Sequence, residues 1–194
     1  MKKIILSLLC ISALKADTFL DDYQRLVETG DGQGINLSGL EIGKMLTALS
    51  KRHKTGLNLS HTNLKKADLS NANIAFANLT GAQLHQAKMH NTDARFVNFI
   101  QAKFDDASIK NCCFDFANFY FAELHTALLN QMNRFKMALV LVATSKQSTN
   151  VAVITNNEPL TFQTGMWPAG ATLTPMLLKN YHALISREKS KLLS

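Results

Sequence analysis

From Leu57 to Gln131 the chain reads, in steps of five, LNLSH TNLKK ADLSN ANIAF ANLTG AQLHQ AKMHN TDARF VNFIQ AKFDD ASIKN CCFDF ANFYF AELHT ALLNQ. These are fifteen units without a gap. The first place is Ala in ten units and Leu, Thr, Val or Cys in the others. The third is Leu, Ile, Met or Phe in fourteen, with Ala94 the exception, and the second is Asn or Asp in eight. A short period sustained this long is the signature of a repeat architecture and takes precedence over local propensity.

The pattern resembles the pentapeptide-repeat family, whose consensus is A(D/N)LXX. The resemblance implies a mainly β fold: a right-handed quadrilateral β-helix, one pentapeptide per side and four per coil. It also implies that the small first and large third residues point inward while the other three face out. A register of 20 is testable on the residues themselves, because positions 20 apart then stack at about 4.8 Å. Asn58, Asn78, Asn98 and Asn118 fall in one file, Asn71, Asn91 and Asn111 in a second, and Phe76, Phe96 and Phe116 in a third. Like residues in stacked files support one another through amide bonds and ring stacking. Asp68 falls beside Lys88 and Lys103 beside Glu123, and Ala94 stands between Ile74 and Phe114. Late units carry Phe99, Phe104, Phe114 and Phe119 at the third place, so the C-terminal half has the heavier core. Both ends of such a rod expose core and strand edges and require caps.

Outward from the repeat, the chain divides into residues 1–16, 17–56, 57–131 and 132–194. The first 16 have the anatomy of a secretory signal peptide: Lys2 and Lys3, an apolar run from Ile4 to Leu14, and Ala16 before Asp17. Leu14 is a poor residue three places before that cut, so the cleavage site stays open. The run is too short to span a bilayer, so the mature chain has no transmembrane segment and is expected in the periplasm or outside the cell. Cys10 follows Leu9 rather than a small residue, unlike a lipoprotein. Thr18 to Thr29 predicts an amphipathic helix with Thr18 as N-cap and Gly30 as its end. GDGQG reads as a turn. INLSG and LEIGK, Ile35 to Lys44, read as two early repeats, and Met45 to Gly56 as a helical insertion ending in Lys51, Arg52, His53 and Lys54. Lys51, Arg52 and Lys54 are candidate loop contacts; the alternative, and the preferred one, is that 35–56 is capping structure. After the repeat, Met137–Ala143, Val151–Thr155 and Leu160–Gln163 predict strands, Trp167–Gly170 a turn, and Thr174-Pro175 the start of a helix. This makes a small α+β appendage on the end of the rod.

Net charge is +7, but it is uneven: +2 over residues 1–56, 0 over 57–131 and +5 over 132–194. A neutral rod argues against nucleic acid as a partner. It argues equally against a DNA-mimicking gyrase binder, known within the family, which needs an acidic surface to replace phosphate. The basic C-terminal region, with Arg187, Lys189 and Lys191, allows contact with an anionic surface. Cys112 and Cys113 are adjacent and cannot staple distant parts; Cys112 takes an inward place and Cys113 an outward one, open to an intermolecular disulfide. His85, Asp105 and His125 share a file, but the two histidines stand roughly 10 Å apart by the strand spacing, and solvated outward residues are the preferred reading over a metal site. No catalytic constellation stands out and no cofactor is implied. The leading expectation is therefore a non-enzymatic protein-interaction scaffold, its partner an unidentified protein or a second copy. The file Phe76, Phe96 and Phe116 is the candidate interaction stripe, because stacked outward aromatics mark contact sites. Residues 132–194 folding back, an outside partner, or simple packing along the face would each account for it.

Overall fold

The computed structural model describes residues 13–124, 127–129, 138–140, 150–154 and 173–193. Within them the repeat forms a β-helix in which bridges join residues 20 apart, in parallel, along four files: Asn58–Asn78–Asn98–Asn118, Asn63–Gln83–Lys103–Glu123, Asp68–Lys88 and Asn73–Asp93–Cys113.

Each N–H of a unit has a fixed destination. In the unit Val97 to Gln101, the second-place Asn98 N–H donates to Ala77 O of the coil below at 3.0 Å. The third-place Phe99 donates to Asn118 O of the coil above at 2.7 Å, and the fifth-place Gln101 to Tyr120 O at 3.0 Å. The first-place Ala102 N–H closes a turn onto Phe99 O at 3.0 Å. That leaves the fourth N–H, and Asn98 Oδ1 accepts it from Ile100 at 3.3 Å. The same side-chain bond runs from Ser60 to Asn58, Ser70 to Asp68, Ala75 to Asn73 and Thr80 to Asn78. The consensus Asn or Asp is thus an Asx turn built into each unit that carries it. At Asp68, hydrogen bonding from Ser70 holds the carboxyl below its usual range.

The fifth place turns the corner. It has positive φ in every described unit from His61 to Phe121, from +54° at Asn111 to +67° at Phe76, as the i+2 residue of a type II turn requires. Three short parallel strands, β1 (Lys88–His90), β2 (Ser108–Lys110) and β4 (Leu128–Leu129), run up one side, where the second place offers no Asx acceptor.

Inside, first and third places make the core. Most are fully buried, each large residue contributing roughly 1.5–3 kcal/mol. The layer Ala94, Phe99, Phe104 and Ile109 sets one methyl against two rings. Above it Phe114 and Phe119 join an aromatic cluster with ring centroids 5.0 to 6.1 Å apart. Close packing requires such compensation. Polar side chains at inward places donate to backbone oxygens: Thr62 Oγ1 to Gly32 O at 3.2 Å, Thr92 Oγ1 to Leu69 O at 3.0 Å and Cys112 Sγ to Met89 O at 2.8 Å.

The N-terminal end differs from the sequence reading in three ways. Helix α1 spans Ala13–Thr29, so Thr18 lies in its interior rather than capping it; Gly30, with φ +77°, does end it, its N–H donating to Leu26 O. GDGQG is not a free turn but a third early repeat. Asp31 bridges Asn58, and Gly32 stands at an inward third place where a Cβ would lie 3.1 Å from Leu26 and 3.2 Å from Leu59. The glycine at a core position yields its volume to the helix, which is why the pentad is hard to see. Third, helix α2 spans Gly43–Arg52, starting earlier than Met45, because Gly43 packs against the Ser70 carbonyl. It replaces the fourth side of the bottom coil, so bridges across it join residues 27 apart: Asp31 to Asn58, Asn36 to Asn63 and Glu41 to Asp68.

Helix α2 also closes the edge it replaces. Asn73 has no strand below it. Thr47 Oγ1 accepts its N–H at 2.8 Å and Ser50 Oγ donates to its carbonyl at 2.7 Å. Two hydroxyls stand in for the missing coil while Leu46 and Leu49 cover the core. Arg25 fastens α1 to the first coil through Asp31 O and Gln33 O.

At the other end, β3 (Asn118–Phe119) pairs in parallel with β5 (Leu139–Val140), and β6 (Asn150–Ile154) and β7 (Leu173–Leu177) continue antiparallel. Helix α3 is Leu178–Leu193. Thr174 and Pro175 therefore lie in a terminal strand of that sheet instead of starting the helix, a position where proline's missing N–H is tolerated. The predicted strand at Leu160–Gln163, the turn at Trp167–Gly170 and residues 1–12 lie outside the described residues.

If the Thr47 hydroxyl replaces a ladder bond, Thr47→Val should lower unfolding free energy by about 1–3 kcal/mol, and Thr47→Ser by much less, in urea titrations.

Candidate interaction surfaces

Three of the four corners carry polar or small residues at the fifth place through most of the rod; the fourth carries phenylalanine in every coil. Phe76 and Phe96 stack with centroids 5.2 Å apart, and Phe96 and Phe116 at 4.8 Å. The left-handed backbone at this place turns the rings along the rod, and Phe96 is 8% exposed. Helix α3 lies against the file. Lys189 Nζ stands 5.4 Å from the Phe76 ring centre, and Ile185 and Ser186 line one crevice with Phe96, Val97 and Phe116. From Ile185 to Lys189 the helix rises about 6 Å, close to one coil, so α3 descends the rod as the coils ascend. Stacked rings gain about 0.5–1.5 kcal/mol beyond area burial, which makes this corner a strong seat for an amphipathic helix.

Lys51 and Arg52 end α2 and are exposed, as is Lys54; among the described residues no carboxylate pairs with them. His53 between them is anchored, its Nε2 3.0 Å from Val27 O. On α3, Arg187 and Lys191 both reach Glu188, at 3.1 and 2.9 Å, and Lys189 sits over Phe76.

His85 Nδ1 lies 2.7 Å from Asp105 Oδ2; His125 is outside the described residues. Among those described, no three His, Cys, Asp or Glu side chains could hold a metal ion. Cys112 is buried, and desolvation pushes its thiol up from 9.0 to about 11. Cys113 borders a polar hollow of about 320 Å³ with Asn91, Thr92, Asp93, Arg95, Asn111 and Asp115. There Arg95 grips Asp93 through two bonds, Nε to Oδ1 at 2.9 Å and Nη2 to Oδ2 at 2.7 Å. The sequence reading passed over this group. Its signal was present, since Asp93, Arg95, Cys113 and Asp115 occupy second and fourth places one coil apart.

A sequence profile described as Pentapeptide repeats matches residues 55–91 in eight copies. No curated protein matches in sequence. Solved structures similar to the chain include QnrB1, a plasmid-mediated fluoroquinolone resistance protein, at 14% identity and TM-score 0.40; the match covers 55% of this chain and 48% of that one. Another is a pentapeptide repeat protein from the Arabidopsis thaliana thylakoid lumen, at 16% identity and TM-score 0.34, covering 62% of this chain and 72% of that one. A third, from the cyanobacterium Cyanothece 51142, has 19% identity and TM-score 0.23, covering 59% and 97%. The chain spans about half the length of QnrB1.

Two outcomes follow from the geometry. Ile185→Asp should free α3, seen as faster proteolytic trimming within 178–193, while the thermal transition of the rod stays near wild type. At pH 8 the raised thiol of Cys112 leaves about a hundredfold less thiolate than an ordinary cysteine, so peptide-mapped alkylation should spare Cys112 until urea unfolds the chain.

Proposed function

The chain belongs to the pentapeptide-repeat proteins, whose repeat it carries in eight copies over residues 55–91, and from that premise we propose that it is an exported, non-enzymatic scaffold for protein interaction. The rod is a right-handed, four-sided β-helix capped by α1 and α2 below and by a small α+β region above. One observation carries the reading: backbone hydrogen bonds join each coil to the next, so the outward side chains stand as fixed files at one coil pitch. That is a rigid surface for recognition.

Export rests on the N-terminal pattern. Among the described side chains, Phe19, Tyr23, Leu26 and Val27 hold α1 to the rod, and cutting after Ala16 keeps them. Among the described residues no helix is long and apolar enough to cross a membrane. The exposed Lys51, Arg52 and Lys54 at the lower end offer one contact area for a partner. The contacts of Arg187 and Lys191 with Glu188, and of Lys189 with the Phe76 ring, weigh for a scaffold over contact with an anionic surface. A gyrase-binding role asks for an acidic rod, and residues 57–131 hold six basic and six acidic residues.

Cell fractionation with N-terminal sequencing tests the reading. The expected product is a processed chain beginning at Asp17 outside the cytoplasm, without effect on gyrase supercoiling at stoichiometric amounts. An unprocessed cytoplasmic chain that inhibits or protects gyrase would establish the DNA-mimic role instead.

A further inference from the structure

The amide file on the side that faces α3 changes character halfway up. In its lower half each Nδ2 donates downward: Asn58 to Asp31 Oδ1 at 2.8 Å, and Asn78 to Asn58 Oδ1 at 3.4 Å. Asn98 and Asn118 keep the other half of the pattern. Their Oδ1 atoms accept from Ile100 and Tyr120 N–H at 3.3 and 3.0 Å. Among the described residues neither of their Nδ2 groups donates a hydrogen bond. These two amides line a crevice of about 240 Å³, whose other walls are Phe96, Val97, Phe116, Ile185 and Ser186.

The oxygen of each amide is committed to the backbone, so the NH2 groups are the ends left for a ligand. They stand one coil apart, about 4.8 Å, a span that the two oxygens of one carboxylate can serve together. Beside them are the edges of two stacked rings and the side chain of Ile185, which suit a flat apolar body. Lys189, one helical turn beyond Ile185, adds positive potential. Pockets for small molecules combine an apolar lining with a few oriented polar groups, and this volume takes a single ring.

We propose that the crevice between α3 and the phenylalanine file binds a small aromatic carboxylate, with its ring against Phe96 and Phe116 and its oxygens on Asn98 and Asn118. The site goes beyond the scaffold reading and does not depend on any protein partner.

Sodium benzoate is the probe, titrated into the full chain and followed by amide chemical shifts. Saturation is expected with Kd on the order of 1 mM, suited to nine heavy atoms. Asn118→Asp gives the discriminating comparison. Aspartate keeps the Oδ1 acceptor, as Asp68 and Asp93 do at the same place in their units, but trades the NH2 for a second oxygen. It should weaken benzoate about tenfold or more and admit benzylamine instead. Ser186→Trp, which fills the crevice, should remove both. A thermal melt establishes that each variant is folded, and Asn98→Asp carries the same comparison if Asn118→Asp is not. Failure of benzoate to saturate, or binding that the aspartate and tryptophan variants leave unchanged, overturns the proposal.

Discussion

Coil is tied to coil by backbone hydrogen bonds that hold residues 20 apart in register, and the rest of the molecule depends on that register. Leu59 N–H to Asn78 O, Leu79 to Asn98 and Phe99 to Asn118 repeat at 2.7 Å. One inserted residue would turn every later side chain to a different face and put Leu or Phe in water. The register survives because each pentad closes its own turn, and those with Asn or Asp at the second place also cap their own spare N–H before the sides stack. Stability is then a sum of similar layers and interfaces between neighbours, and weakness concentrates at the ends.

The ends are where the chain departs from its repeat, and each departure has a local cause. Below, no coil remains to accept the N–H of Asn73, and α2 supplies hydroxyls at the required places. Gly32 gives up its core volume so that Leu26 of α1 can enter. Above, the parallel stack passes through β3 and β5 into an antiparallel pair of strands, a change of direction that ends the template for further coils. Helix α3 then runs back down the rod and lies on the aromatic corner.

The rod itself was legible because its period is short and its inward residues are so restricted. The Asn, Phe and Asp–Lys files followed from spacing alone, and the structure stacks them as expected. What escaped the sequence was governed by tertiary contact. A pentad with glycine at its core place looks like a turn until Leu26 is seen filling the space. Thr174-Pro175 has the chemistry of a helix start, yet pairing with Ala152 and Val153 holds it in a strand. For the surfaces, spacing showed that Phe76, Phe96 and Phe116 share a corner but not that α3 lies on it, since nothing local fixes where a distant amphipathic helix docks. Arg95 and Asp93 were hidden for a different reason: they form a pair only when second and fourth places of one side are read together.

The second place of the repeat shows how fold and recognition can share one side chain. Where the second place is Asn or Asp, the backbone uses only one oxygen of it, to accept the fourth-place N–H. Asn and Asp supply it equally well, as Asn98 and Asp93 show. Everything else at that place is free to vary: an amide hydrogen that extends the file downward, a second oxygen that grips Arg95, or an unused donor facing a crevice. The fourth place modulates the choice. Ser60 and Thr80 add hydroxyl bonds to the same Oδ1 atoms in the lower coils, whereas Ile100 and Tyr120 above add none. A chain that must keep its consensus to fold can therefore still tune its surface, atom by atom, on the half of the side chain that the backbone does not use.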